Sequence, residues 1–149
     1  MSDIQIVQAD LSMVPALAEL STQLGYSLPH DKLAVQLQKI LSHSDHQIFA
    51  ALLDGEVRGW AHFYIVDVII SMPYVEVGGI VVDANYRQHG IGRALLQQGE
   101  LWASSQNVNM IYLRSRTTRK GAHSFYEKLG YECIKEQKTF TKVLSEEIG

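Results

Sequence analysis

The sequence predicts an α/β fold of layered α+β type, built as one domain over residues 1–149. Three observations carry that prediction. Apolar runs with the two-residue alternation of strands recur along the chain, and stretches with helical periodicity stand between them. Near residue 90 a strand-like run passes through a two-glycine turn straight into a helical pattern. The length of 149 residues suits a single core, since a chain of this size buries about two thirds of the surface its unfolded form exposes.

The elements follow in order. Ile4 and Ile6 alternate with Gln5 and Val7 as a short opening strand ahead of Ala9 and Asp10. Val14, Leu17, Ala18, Ser21 and Leu24 then recur at helical spacing; Asp10 or Ser12 can cap this helix, Pro15 fits its first turn, and Gly25 ends it. A connection from Tyr26 to His30 contains Pro29, and a second helix carries Leu33, Leu37, Ile40 and Leu41 on one face. Ile48 to Leu53 and Val57 to Val68 are strands joined by Asp54-Gly55-Glu56, a hairpin turn by composition. On the second strand Trp60, His62 and Tyr64 share one face and Ala61 and Phe63 the other, with His62 read as a satisfied histidine on a sheet face.

Ser71-Met72-Pro73 breaks the pattern, and Tyr74 to Asp83 forms the next strand. Gly78-Gly79 inside it marks a bulge or a close backbone approach. A helix over 91–105, a strand over 108–113 and a polar, cationic loop over 114–121 come next. The late helix carries Ala122, Phe125, Tyr126 and Leu129 on one face and stops at Gly130, and strands over 131–134 and 138–143 finish the chain.

Composition excludes several classes. Hydrophobic content of 46%, charged content of 19% and three prolines are those of an ordinary globular protein. No run approaches the roughly 20 apolar residues of a membrane span, and Met1-Ser2-Asp3-Ile4 has no basic lead into an apolar core. The expectation is a cytoplasmic protein with no membrane partner. A net charge of −3 argues against a nucleic-acid surface. Cys133 is the single cysteine, which excludes an internal disulfide and a thiolate metal cluster, and its apolar neighbours mark it as a packed strand residue. His43-Ser44-Asp45-His46 crowds potential metal ligands, but it sits where polar turn residues belong and no second ligand cluster accompanies it; no metal is expected.

The turn after Val82 has the design of an anion cradle. Gly90 and Gly92 stand where a strand hands over to a helix N-terminus, whose free N–H groups and dipole of roughly +0.5 charge favour an anion. Glycine lets a pyrophosphate approach the main chain, and Arg87 and Arg93 add whole charges. A Walker loop is excluded because no G-x-x-x-x-G-K-[ST] run exists, and a dinucleotide fingerprint because Leu95 stands where a third Gly or Ala belongs. Arg87-Gln88-His89-Gly90-Ile91-Gly92 instead resembles the Q/R-x-x-G-x-G/A signature of the GNAT superfamily of N-acetyltransferases. A second match, Ala122 to Tyr131, resembles that family's late helix and the aromatic residue after its glycine. The likeness is close over roughly residues 74 to 135.

The resemblance implies a GNAT fold: a single mixed, mostly antiparallel central sheet of about six to seven strands, flanked by about four helices, with a splayed parallel pair. It implies acetyl-CoA as co-substrate and a primary amine as acceptor. The cofactor would lie on Arg87, Gln88, His89, Gly90, Ile91, Gly92 and Arg93, with the pantetheine arm against the backbone of Ile80, Val81 and Val82. Tyr26, His30 and Asp31 fall in the variable region that shapes the acceptor pocket. Homodimers occur in the family, so a second copy is among the partners it implies.

Chemistry sets two needs. A lysine-like amine of pKa about 10.4 lies some three units from its reactive form at pH 7, a cost of roughly 4–5 kcal/mol unless a base takes the proton. By resemblance that base is Glu76, on the motif strand; if no bulge intervenes, Glu76 shares a face with Gly78, Ile80 and Val82. The leaving thiolate needs a proton, and Tyr126 matches the family tyrosine that donates one. Two positions depart from the family pattern. Arg119 stands where many members have Asn and could meet the 3′-phosphate of CoA. Arg114 stands where some branches keep a catalytic Glu, which leaves Glu76 or an ordered water as base. Direct attack in a ternary complex is the expected route. Two alternatives stay open: a non-catalytic acyl-CoA-binding or sensor module, and an enzyme that uses another short acyl-CoA.

Overall fold

The computed structural model describes residues 3–145 and divides into two compact units, Met1–Arg114 and Ser115–Gly149. The first unit holds β1 (Ile4–Gln8), α1 (Val14–Thr22), α2 (His30–Leu41), β2 (His46–Leu53), β3 (Glu56–Val66), β4 (Tyr74–Val82), α3 (Ile91–Ser105) and β5 (Ile111–Tyr112). Its strands form one sheet in the order β1-β2-β3-β4-β5, antiparallel throughout except for the parallel β4/β5 pair. The mixed, mostly antiparallel sheet with a parallel pair is the predicted one.

Local chemistry explains the strand order. Leu53 pairs with Glu56 across a tight turn in which Asp54 (φ 53°) and Gly55 (φ 79°) are both left-handed. That turn twists with the strands, so the β2/β3 hairpin closes without splaying. The alternation along β3 then sorts the two faces. Ala61 and Phe63 are fully buried on one, where Phe63 meets Phe49 and lies directly under Gly99 of α3. Ile91, Leu95, Leu96 and Trp102 of α3 are buried as well. Trp60, on the other face, packs against a cluster of Val14, Leu17, Leu37 and Ile48, so α1 and α2 cover that side. Each such apolar side chain contributes about 1.5–3 kcal/mol on leaving water.

The glycine pair in β4 is a bulge. His62 pairs with Gly79 and Phe63 with Val77, so Gly78 is an inserted residue without a partner on β3. The insertion reverses the alternation beyond it. Glu76, opposite Tyr64, therefore shares a face with Val81, opposite Trp60, and the face with Ile80 and Val82 expected for an unbulged strand is corrected. On its other edge β4 pairs with β5 only at Val75 and Glu76; among the described residues Val77 to Val82 has no strand partner there. The splayed parallel pair is thus present.

Three expectations about strands are corrected. β5 is shorter than 108–113, because the Val108 N–H is spent on the Ala103 carbonyl at 2.9 Å, closing α3. The sheet has five strands rather than six to seven: among the described residues 131–134 and 138–143 form none, and Cys133 is exposed rather than packed. Alternation marks a segment that fits a ladder but does not supply a neighbour, and among its described residues the second unit contains one regular element, α4 (Lys120–Lys128). His46, expected in a polar turn, opens β2.

α4 stops as predicted. Gly130 is left-handed (φ 94°), its N–H bonds to Glu127 O at 3.1 Å, and the Tyr131 N–H bonds to Tyr126 O at 3.1 Å. This paired termination satisfies the last carbonyls and sets the Tyr131 ring against Tyr126, 6.4 Å between centroids. No helix among the described residues is long and apolar enough to cross a membrane.

Candidate active site

The two-glycine turn expected to cradle an anion leads directly into α3. Gln88 (φ 67°) and Gly90 (φ 86°) are both left-handed, and Gly90 is the N-cap with no side-chain cap of its own. Its carbonyl accepts from Ala94 N at 3.0 Å. The N–H groups of Ile91, Gly92 and Arg93, in the first turn, have no partner in the helix, so they remain available to an anion. Ile91 is buried and anchors the turn, whereas Arg87 and Arg93 are exposed beside it. His89 Nδ1 lies 3.0 Å from Tyr86 O and 3.1 Å from Arg87 O. Both partners are acceptors, so Nδ1 carries the proton and His89 braces the loop.

A clamp upstream of the cradle was missed in the sequence. Asp83 is buried, accepts from Asn85 N at 3.1 Å, and approaches Arg58 Nη1 at 3.5 Å. The Arg58 guanidinium lies 4.2 Å from the Tyr86 ring centroid. Gln23, at the end of α1, accepts from Ala84 N at 2.8 Å. Asp83-Ala84-Asn85 was readable as a local cap, but nothing in its spacing announced partners on α1 and β3.

Glu76 sits in the middle of a polar network on β4. Its Oε2 accepts from Tyr64 Oη at 3.1 Å and from Arg114 Nε at 3.1 Å, and its Oε1 accepts from Arg114 Nη2 at 3.2 Å. Arg114 thus meets Glu76 through both arms of its fork, and these bonds and the Glu76 charge raise the guanidinium further above its ordinary range. Burial, and then the Glu76 charge, push the Tyr64 phenol up as well. Tyr74 and Tyr112 stack beside this network at 4.2 Å. Further along the strand Val81 is buried and Ile80 and Val82 are half-buried.

A second network faces the bulge. His62 Nε2 lies 2.9 Å from His46 Nδ1, so His62 has the partner expected of it, and both rings pack against Tyr64. Burial, and then the proximity of His46, lower the His62 pKa to about 4. Among the described residues no group of three potential ligands could hold a metal.

The first unit contains the two-glycine turn, the open edge of β4 and Glu76. Tyr26, His30 and Asp31, where α1 hands over to α2, are exposed. In the second unit Arg119 is the N-cap of α4, and Tyr126 is half-buried within that helix. Burial raises the Tyr126 phenol, and the nearby Arg119 charge offsets this only in part.

Comparisons with known proteins agree with this fold. The pattern of the acetyltransferase (GNAT) family matches residues 14–131. An N-alpha-acetyltransferase from Sulfurisphaera tokodaii is 30% identical over 103 residues, which are 64% of this chain and 62% of that protein; the chain thus spans less than two thirds of that relative. Among solved structures, aminoglycoside N-acetyltransferase AAC(6')-Iy in complex with CoA superposes with a TM-score of 0.85 at 23% identity, covering 95% of this chain and 96% of its own. Aminoglycoside 6'-N-acetyltransferase AAC(6')-Ih from Acinetobacter baumannii superposes with a TM-score of 0.83 at 18% identity, covering 96% and 100%. With residues 14–131 inside the family pattern, the chain belongs to the acetyltransferase (GNAT) family.

Proposed function

We propose that this protein transfers the acetyl group of acetyl-CoA to a primary amine by direct attack in a ternary complex. The observation that carries the reading is the start of α3, where left-handed Gln88 and Gly90 leave main-chain N–H groups open between Arg87 and Arg93. That is a site for a pyrophosphate. From there the pantetheine arm follows the open edge of β4 along Ile80, Val81 and Val82, and Arg119 meets the 3′-phosphate.

Glu76, directly or through an ordered water, takes a proton from the acceptor ammonium. The freed amine attacks the thioester carbonyl and a C–N bond forms. β4 backbone N–H groups hold the developing oxyanion. The C–S bond then breaks, Tyr126 protonates the departing thiolate, and the surplus proton on nitrogen passes to solvent. The Tyr126 phenol holds its proton at neutral pH and can donate it once the sulfur comes within hydrogen-bond reach. Tyr26, His30 and Asp31 border the acceptor. Relatives named for α-amino groups and for aminoglycosides both point to primary amines.

The test is release of free CoA thiol from acetyl-, propionyl- and succinyl-CoA, offered with an aminoglycoside, a lysine peptide and a peptide with a free α-amino group. Calorimetry with CoA runs beside it. Release from acetyl-CoA that depends on an amine supports the reading. CoA binding without release assigns a sensor module, and preference for a longer acyl group assigns a different donor.

A further inference from the structure

The turn between β3 and β4 plays no part in the reaction above. Residues 67–73 are all exposed, and among them Val68 is 45%, Ile69 103%, Ile70 94% and Met72 80% exposed. Turn chemistry does not account for them. Ile69 and Ile70 occupy the turn itself, where Gly, Asn, Asp, Pro or Ser serve the backbone and a β-branched apolar residue brings no such advantage. Beside the turn lies a cavity of about 630 Å³, lined by Ile65, Met72 and Pro73 from the end of the hairpin and by Ser104, Val108 and Asn109 from the connection between α3 and β5. Its volume is well beyond that of two isoleucine side chains, and Ile69 and Ile70 of the same copy do not line it. Among the described residues of the loop and the lining, Asp67 is the one that carries a charge.

We propose that this face joins two copies of the chain, with Ile69 and Ile70 of each seated in the cavity of the other. The area is sufficient. Val68, Ile69, Ile70 and Met72 present on the order of 500 Å² per copy, so the two loops contribute roughly 1,000 Å², the size at which an interface becomes specific. The composition fits a second copy: an apolar centre meets the uncharged polar groups of Ser104 and Asn109, as the core and rim of a protein interface do. A lipid surface or a nucleic acid fits less well, because loop and lining offer no lysine or arginine to headgroups or phosphates. Placement favours a closed pair. The turn leaves the body between Asp67 and Met72, both in the lining, so loop and cavity adjoin on one face and a two-fold axis satisfies both contacts at once. A cavity on a remote face would instead build open chains. The inference is independent of the acetyl-transfer reading.

The experiment is sedimentation equilibrium of the full chain from about 1 to 100 μM, which should give twice the mass of one chain and a Kd on the order of micromolar. Ile69→Glu/Ile70→Glu removes the apolar tip, and Ser104→Arg fills the cavity; each should weaken pairing at least about 100-fold. All three positions are exposed, so circular dichroism and urea midpoints should match wild type, and Asn109→Lys serves as a second way to fill the cavity should Ser104→Arg not fold. Mixing the two variants should restore pairing part-way, because the intact tip of the Ser104→Arg copy meets the intact cavity of the other. A wild type that stays monomeric, polymers larger than a pair, a pair that Ile69→Glu/Ile70→Glu leaves unchanged, or no recovery on mixing overturns the proposal. Flotation of a monomeric chain with phosphatidylcholine or phosphatidylserine vesicles, lost in Ile69→Glu/Ile70→Glu, assigns the loop to a bilayer and overturns it too. None of these measurements reads thiol release, so their failure leaves acetyl transfer standing, and the failure of acetyl transfer leaves the pair standing.

Discussion

Tyr126 is the proton donor of the proposed reaction. The Tyr131 ring meets it at the helix end, and burial holds its proton. Tyr126→Phe should lower turnover by about 10²-fold with CoA affinity nearly kept, read from steady-state rates and calorimetry; undiminished turnover would remove its catalytic role. Glu76→Gln keeps the shape of the Arg114 fork and loses the charge. Its turnover should fall at pH 7 and recover for weakly basic amines that arrive already neutral, and equal losses for both kinds of amine would count against a base. His62 gives a pH prediction. Its folded pKa of about 4 lies below the ordinary 6.5, so between these values the unfolded chain takes up a proton that the folded one does not. Stability from this group is present above pH 6.5 and is lost as pH falls toward 4. Urea midpoints of His62→Asn should therefore fall less steeply than wild type across that window.

At the scale of elements, α3 and the sheet fit through a missing side chain. A Cβ on Gly99 would lie 2.2 Å from the Phe63 ring, and both residues are buried. Gly99→Ala should cost about 1–3 kcal/mol in denaturant unfolding; an unchanged midpoint would mean that the contact relaxes freely. The sequence was informative where elements are local. Asp54-Gly55 declared the hairpin, Gly78-Gly79 the bulge, and Gly90-Ile91-Gly92 the helix start, because each depends on backbone chemistry within a few residues. Contacts between distant segments were silent. Gln23 to Ala84, Arg58 to Asp83 and His46 to His62 join polar residues whose types are equally at home in solvent, so neither spacing nor composition marked them. The same holds for Glu76: its strand was legible, its capture by Arg114 and Tyr64 was not.

At the scale of the whole molecule, the mixed, mostly antiparallel sheet and its parallel pair followed from the family resemblance, whereas the last two strands were not realised among the described residues. The reason is physical: Lys138 to Val143 alternates as a strand should, but pairing needs a neighbour, and that is a property of the assembled sheet. The family pattern spans residues 14–131 and so contains the cradle, Glu76 and Tyr126, while the segment after Tyr131 lies outside it. The functional account depends on the cradle. Its most direct measurement is a calorimetric titration of CoA into wild type and Gly90→Val. A valine at φ 86° would strain the turn that aims the N–H groups. Saturable heat for wild type, with a Kd on the order of micromolar, and binding at least about tenfold weaker for the variant are the predicted results. Absence of saturable heat in wild type, or equal affinity in a folded variant, would contradict it.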